Sequence, residues 1–298
     1  MKDLDVLHEL TPVAEQLLER HLESAQDWFP HEVVPWERGQ ELMDKGYGYR
    51  RNEVAPGVRS ALMVNLLTED NLPWYSRTLS RIFGSDSAWG EWGRRWTAEE
   101  GRHAIAMRDY VTISGLIDPS ELEHARMAQV TGGVVPEPEN AVDGMCYVAV
   151  QELATRVSHR NTGAALDDPA GYEVMMRLAT DENKHHLFYR DLVSSLLKLN
   201  PSRAIESLSS QIRNFSMPGT GIPGFAEHAH QIASEGIYDL SVHHDRIVEP
   251  LVVKQWALDK VQGLTSAAEQ ARESLFKHVD KLGKVANRIK ERRLTSGA

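Results

Sequence analysis

Cysteine is nearly absent. Of 298 residues only Cys146 is one, so no internal disulfide can form and the fold must rest on its core. Cys146 lies in the apolar run MCYVAVQE, where a small buried thiol is the ordinary role, and its isolation fits a reducing compartment. No apolar run is long enough to span a bilayer, and the first ten residues, MKDLDVLHEL, carry charge where an export signal carries its apolar stretch. A cytoplasmic protein with no membrane insertion is the expectation. Positive charge is in deficit: 33 Lys plus Arg against 43 Asp plus Glu give a formal charge of -10. That field repels nucleic acid, so any acidic partner needs a local basic patch. Strand-like alternation bounded by turn residues is missing too, which leaves the all-α class.

What is present is helical periodicity along most of the chain, with no composition shift or linker to divide it, so residues 1–298 read as a single domain. A first helix is expected over 12–24, with Thr11 as N-cap and Pro12 at the first helical position. An irregular, aromatic-rich stretch follows to about Gly57. Four long helices are expected at about 58–81, 87–115, 140–163 and 170–199, separated by IFGSDS, TGGVVPEPEN and LDDPAG. That is the content of a four-helix bundle core over about 58–199. After MPGTGIPGF come shorter helical segments (AEHAHQIAS, YDLSVHHDRIVEPLVVKQW, SAAEQARESLFKHV) and a basic end, expected to pack around it.

Two Glu-x-x-His motifs stand on these helices, Glu100 with His103 in TAEEGRH and Glu182 with His185 in DENKH, each pair sharing one helical face. Each is preceded by a glutamate on an otherwise apolar face: Glu69 among Leu62, Leu66 and Leu72, and Glu152 among Met145, Val148 and Ala149. Glu100 follows Glu69 by 31 positions and Glu182 follows Glu152 by 30, about one helix and a turn. Four carboxylates and two imidazoles can therefore converge. Burying that many carboxylates uncompensated costs several kcal/mol each, roughly, whereas two divalent cations neutralise them. The mixed oxygen and imidazole donors suit iron or manganese better than zinc. The bland alternative for Thr97 and Glu100 is a capping box. His186 also lies within reach of Glu182, but Ala104 holds the equivalent place in the other half. The remaining histidines, including His243 and His244 beside Asp245, are expected at the surface or at helix ends.

The segments LLTEDNLPWY, WTAEEGRHAIAMRDY, VQELATRVSHRNTG and ATDENKHHLFYR resemble the four signature helices of the acyl-[acyl carrier protein] desaturases. The similarity runs on through NFSMPG, IYDLSVHHD and QWALDKVQGLTSAAEQAR to the basic end. The resemblance implies a ferritin-like bundle with added helices and a homodimer. It implies two Fe(2+) ions per subunit on Glu69, Glu100, His103, Glu152, Glu182 and His185. It also implies oxygen-dependent desaturation of an acyl chain on acyl carrier protein, in fatty acid biosynthesis, with electrons from ferredoxin. In the same pattern Pro73 kinks the helix after Glu69, Thr155 stands on the oxygen-binding side, and Trp28, Asp181 and His103 form an electron route. No plant-type transit peptide precedes the match, which suggests the bacterial type. Trp74, Gly101 and Ala104 depart from the family pattern, leaving chain length and double-bond position open. Residues 277–293 hold seven Lys or Arg and two acids, and Lys277, Lys281, Lys284 and Arg288 share one side, a candidate docking face for the acidic carrier.

Iron storage by a ferritin-like protein and hydroxylation by a di-iron enzyme use the same ligands. A ribonucleotide reductase small subunit would need a radical tyrosine one turn after the first Glu-x-x-His. Met107 stands there, and Tyr189 follows the other motif instead.

Overall fold

The computed structural model describes residues 3–44 and 54–296. Among these every regular element is helical and no strand occurs, in line with the all-α expectation.

Helix α1 spans Asp3–Ser24, so the expected start at Pro12 is corrected: Pro12 lies inside the helix, and the Thr11 hydroxyl is no N-cap but donates to the Leu7 carbonyl at 2.8 Å. Burial explains the result. Val6, Leu10, Ala14, Leu17 and Leu18 form one continuous buried stripe, which outweighs the roughly 3 kcal/mol a proline costs in mid-helix. The supposedly irregular stretch contains α2 (Pro30–Val33) and α3 (Glu37–Asp44), and its residues 45–53 lie outside the described residues.

The expected helix over 58–81 is two helices, α4 (Pro56–Glu69) and α5 (Leu72–Phe83). Helices α6 (Ser87–Ile113), α8 (Ala141–Ala165) and α9 (Pro169–Leu199) fall close to their expected ranges. Between them lies α7 (Pro119–Gly132), and α10 (Pro201–Arg213) follows α9 directly. Side-chain caps start several of them: Asp118, Asn140 and Asp168 accept backbone N–H groups at the heads of α7, α8 and α9. After α11 (Phe225–Ser234), α12 (Leu240–His243) widens into π-helical turns at His244–Val248 and Pro250–Gln255. Pro250 within this stretch has no N–H to continue a regular ladder. Helix α13 (Ser266–Ser296) unites the last apolar segment with the basic end.

The broken rod α4–α5 with α6, α8 and α9 makes the central bundle, α8 and α9 being its most extensively packed pair. Its apolar interior falls into two clusters. One gathers Trp89, Trp92, Met145, Phe188 and Leu192; the other gathers Leu62, Leu66, Met107, Tyr110 and Leu178. Along α6 the first cluster ends at Trp96 and the second begins at Ala106. Along α9, running oppositely, the second ends at Leu178 and the first begins at Phe188. The intervening residues are the acidic and histidine motifs, so the charged layer crosses the bundle between two apolar halves. No described helix is long and apolar enough to cross a membrane.

Candidate metal centre

Four helix segments deliver the charged layer. Glu69 is the last residue of α4, where the helix stops because Pro73 has no N–H for the Glu69 carbonyl. The expected kink is therefore a full break, with the Asn71 amide donating to the Val134 carbonyl at 3.1 Å. Glu100 and His103 come from α6, Glu152 from α8, and Glu182 and His185 from α9. All six are buried, Glu152, His103 and His185 completely.

Ligand atoms of Glu69, Glu100, His103 and Glu182 lie within 4.8 Å of one another, as do those of Glu100, Glu152, Glu182 and His185. The structure thus brings the six together as two overlapping groups of four that share Glu100 and Glu182. Both imidazoles turn Nδ1 inward: that of His103 lies 3.4 Å from both Glu100 and Glu182, and that of His185 lies 2.9 Å from Glu100. Thr97 is in mid-helix, its hydroxyl donating to the Gly93 carbonyl, so no capping box begins there. His186 points away and donates from Nδ1 to the Ala149 carbonyl at 2.8 Å.

The outward imidazole nitrogens meet acids across the helix pair. His185 Nε2 donates to Glu99 at 2.8 Å, and His103 Nε2 lies 3.5 Å from Asp181. Glu99 and Asp181 each stand one position before a cluster glutamate, so each motif supplies the acid that orients the other motif's histidine. Asp181 also accepts from the Trp28 indole at 2.8 Å and from Arg102 at 2.6 Å, while Arg102 lies over the Trp28 ring. Trp28, Asp181 and His103 are thus contiguous. On the other side Glu99 accepts from His21 at 3.0 Å and from Arg95 at 2.6 Å.

The expectation that the remaining histidines lie at the surface or at helix ends is corrected for His159, which is buried inside α8 against the acids. His21, in the last turn of α1, and His243, at the end of α12, do stand at helix ends, and both are buried. His159 Nε2 donates to Glu69 at 3.0 Å and lies 3.6 Å from Glu182. Glu99, His21 and His159 are the residues that sequence reasoning missed. An acid before Glu in both motifs was the visible sign for Glu99; no spacing rule marks His21 or His159, which reach the site from their own helices.

Burial opposes ionisation of Glu69, yet His103 and His159 hold its carboxyl down at about 2. Burial and the charge of Glu182 drive Glu152 well above the carboxylate range. His185 rises to about 10 despite burial, because Glu100 and Glu99 face it. Protons on imidazoles and on Glu152 thus balance the cluster's charge, the role a cation would take. His103 Nδ1, Glu152 Oε2 and both Glu182 oxygens are buried without a hydrogen-bond partner, and His185 Nδ1 and Glu100 Oε1, 2.9 Å apart, meet no partner outside the cluster. Six inward donors, with two shared carboxylates, fit a pair of divalent ions.

Two clefts open onto the layer. One, about 620 Å³ with its solvent-open mouth, meets Glu69, Glu100 and Glu182, its other walls including Leu72, Tyr75 and Leu79. The second, about 590 Å³, lies towards His159, and Thr68, Glu69, Thr155 and Pro218 line both. The Thr155 hydroxyl accepts from Gln151 at 2.9 Å. The basic side of α13 is exposed, but Lys277 and Lys284 are already paired with Glu273 and Asp280 one turn earlier.

Comparison with known proteins adds to this geometry. A family model described as fatty acid desaturase matches residues 2–297. The chain is 40% identical over 286 residues to DesA1 of Mycobacterium tuberculosis, assigned as an acyl-[acyl-carrier-protein] desaturase, covering 92% of this chain and 84% of the relative. It is 32% identical over 250 residues to the chloroplastic stearoyl-[acyl-carrier-protein] 9-desaturase 6 of Arabidopsis thaliana, covering 78% of this chain and 63% of that one. The X-ray structure of DesA2 from Mycobacterium tuberculosis H37Rv superposes with a TM-score of 0.69 at 25% identity, covering 90% of this chain and 99% of that chain. The bundle with its added helices is thus the ferritin-like fold of that relative.

Proposed function

This chain belongs to the fatty acid desaturase family, and from that footing we propose that it introduces a double bond into an acyl chain carried on acyl carrier protein, using two iron ions held by Glu69, Glu100, His103, Glu152, Glu182 and His185. The observation that carries the reading is the pair of overlapping donor groups, their inward atoms without partners outside the cluster, in the wall of an apolar cleft.

Per double bond the reaction consumes one dioxygen, two electrons and two protons, and releases two waters. Bound iron supplies the reduction of dioxygen and the oxidising power to take hydrogen from an unactivated methylene. The chain's own residues do the rest. Leu72, Tyr75 and Leu79 hold the acyl chain past the metal-facing carboxylates, fixing which methylenes are presented and keeping water out. Glu99 and Asp181 fix both imidazoles with Nδ1 inward. The Thr155 hydroxyl, oriented by Gln151, stands in the cleft wall to pass protons. Trp28, Asp181 and His103 carry electrons inward from a donor such as ferredoxin. The exposed side of α13, with Lys281 and Arg288 beside Lys277 and Lys284, receives the acidic carrier. A homodimer in the cytoplasm completes the reading.

Iron-loaded protein incubated with carrier-bound acyl chains, a ferredoxin reducing system and oxygen should yield chains that have lost two hydrogens, seen by mass analysis. Hydroxylated products would assign the hydroxylase chemistry instead. Products identical to those of Glu182→Ala across common chain lengths would remove the desaturase reading.

A further inference from the structure

Tyr189 stands one turn after His185 on α9, and the proposed reaction gives it no task. It is buried, and its oxygen accepts the indole N–H of Trp92, from α6, at 3.0 Å. The Trp92 ring in turn meets the His185 imidazole edge-on, 6.0 Å between centroids, and the Tyr189 ring at 5.9 Å. Two oxidisable rings are thus joined in series to the imidazole whose Nδ1 faces the cluster. They start from His185, whereas Trp28 and Asp181 lead to His103. The series ends at the surface. Trp92 and Tyr189 both line a groove between the end of α5 and the start of α6, about 740 Å³ with its solvent-open mouth, whose rim residues Ser80, Ser85 and Arg94 are exposed. Trp89 lines it too, reached from Tyr189 across Phe83 at ring spacings of 6.2 and 5.6 Å. Packing accounts for the rings and for the bond that satisfies the indole. It leaves the phenol's own hydrogen over: the indole N–H uses one lone pair of the oxygen, and among the described residues none accepts the phenolic proton.

We propose that Trp92 and Tyr189 are an outlet for oxidising equivalents, which drains the metal layer to the groove when dioxygen has been reduced there with no acyl chain to attack. The inference rests on the oxygen-reducing function above. Reducing one dioxygen to two waters takes four electrons, two from the external donor and two from the C–H bonds of the chain. With the cleft empty, the last two are missing. An electron leaves Trp92 for the metal layer past His185. Tyr189 then refills Trp92 and releases its phenolic proton to groove water, its oxygen still holding the indole N–H. A one-electron reductant of the ascorbate or thiol class, arriving in the groove, returns an electron to Tyr189, and water returns the proton. Two such passes supply two electrons, and with two protons drawn from solvent at the layer they replace the two hydrogens of the acyl chain. Dioxygen leaves as two waters either way.

Iron-loaded protein is reduced, exposed to oxygen without any acyl chain and frozen at intervals for electron spin resonance. Wild type is expected to show a tyrosyl signal that narrows when the protein is made with ring-deuterated tyrosine and disappears on adding ascorbate. Tyr189→Phe should lose the signal, and loading wild type with a carrier-bound saturated chain beforehand should suppress it. A second readout is chemical damage. Met107 is buried one turn after His103, and Met145 two turns before Glu152. After repeated chain-free cycles with ascorbate present, peptide mass analysis should find sulfoxide at both accumulating in Tyr189→Phe and staying low in wild type. Tyr189→Phe leaves the Trp92 N–H unpaired, so the double variant Trp92→Phe with Tyr189→Phe, which removes both partners, makes the same comparison should the single one fail to accumulate. A wild type that converts carrier-bound chains yet shows no tyrosyl signal overturns the outlet and leaves the desaturase reading intact. So does a signal that survives Tyr189→Phe, or one undiminished with the chain bound. A radical in protein that converts no chain overturns the desaturase reading alone, and a protein that gives neither overturns both.

Discussion

His159 sits on α8 two turns beyond Glu152, yet its imidazole serves the far end of the cluster, donating to Glu69 at 3.0 Å. Trp96 does the same for Glu152, its indole donating to Oε1 at 3.1 Å while Oε2 stays unpartnered. Each lone glutamate therefore has one oxygen anchored by a ring N–H. Replacing His159 by Phe removes one anchor, and metal affinity measured by chelator competition should fall about tenfold or more. His159→Gln, which keeps a donor, should recover most of it; equal affinity in all three proteins would show the anchor to be dispensable. His243 yields a different expectation because it is buried away from the cluster, stacked on Phe215 at 5.0 Å and paired with the Tyr238 hydroxyl at 2.9 Å. Burial, with His278 and His244 nearby, lowers it to about 4. Between about 6.5 and 4 the unfolded chain binds a proton at this position that the folded chain refuses, so stability is full above that window and falls as pH drops through it. His243→Gln should flatten this part of the profile by about 3 kcal/mol in chemical denaturation at stepped pH; parallel profiles would refute the assignment.

Among elements, the gap between α4 and α5 sets the site. With no N–H at Pro73, the chain turns at Asp70 and Asn71, leaving Glu69 at a helix end and starting α5 along the cleft wall. Pro73→Ala restores the donor and favours a continuous rod, which would carry Leu72 and Tyr75 off their present positions. Iron content should stay near that of wild type while turnover drops about tenfold or more, since misplacement of about 1 Å is enough; undiminished turnover would show that the break is incidental. Pro73 was visible in the sequence, as were α6, α8 and α9, because their apolar faces are long and periodic. Helix α7 was not: Leu122 and Gln129 are its only buried residues, so it has no stripe to read, although Asp118, Pro119 and Gly133 mark its ends. The start of α1 misled for the opposite reason, a strong local signal at Thr11 and Pro12 overridden by tertiary burial of Val6 and Leu10. The six cluster residues were legible because their spacing repeats. His21 and His159 were not, because their partners are set by how helices cross.

The whole molecule stores its charge problem in one layer between two apolar halves, which couples the site to global stability. Without cations the layer must be balanced by protons, and Glu152, completely buried and driven well above the carboxylate range, is the carboxyl that holds one. Two metal ions that bind only the folded chain add about 2.7 kcal/mol each at a hundredfold excess over Kd. For a chain of this size that amounts to a rise in Tm of roughly 5–10 °C over chelated protein. Glu152→Gln separates the two contributions, since glutamine copies the neutral acid in shape and can still accept from the Trp96 indole. The chelated variant should melt within about 2 °C of chelated wild type, a difference below roughly 1 kcal/mol. It should also lose at least half of the metal-induced rise, because one of the two donor groups then lacks its terminal carboxylate. Calorimetry of four samples, wild type and variant with and without iron, decides the matter. A chelated variant far less stable than chelated wild type would mean that Glu152 is charged and paired in the metal-free fold, and that the layer is balanced some other way.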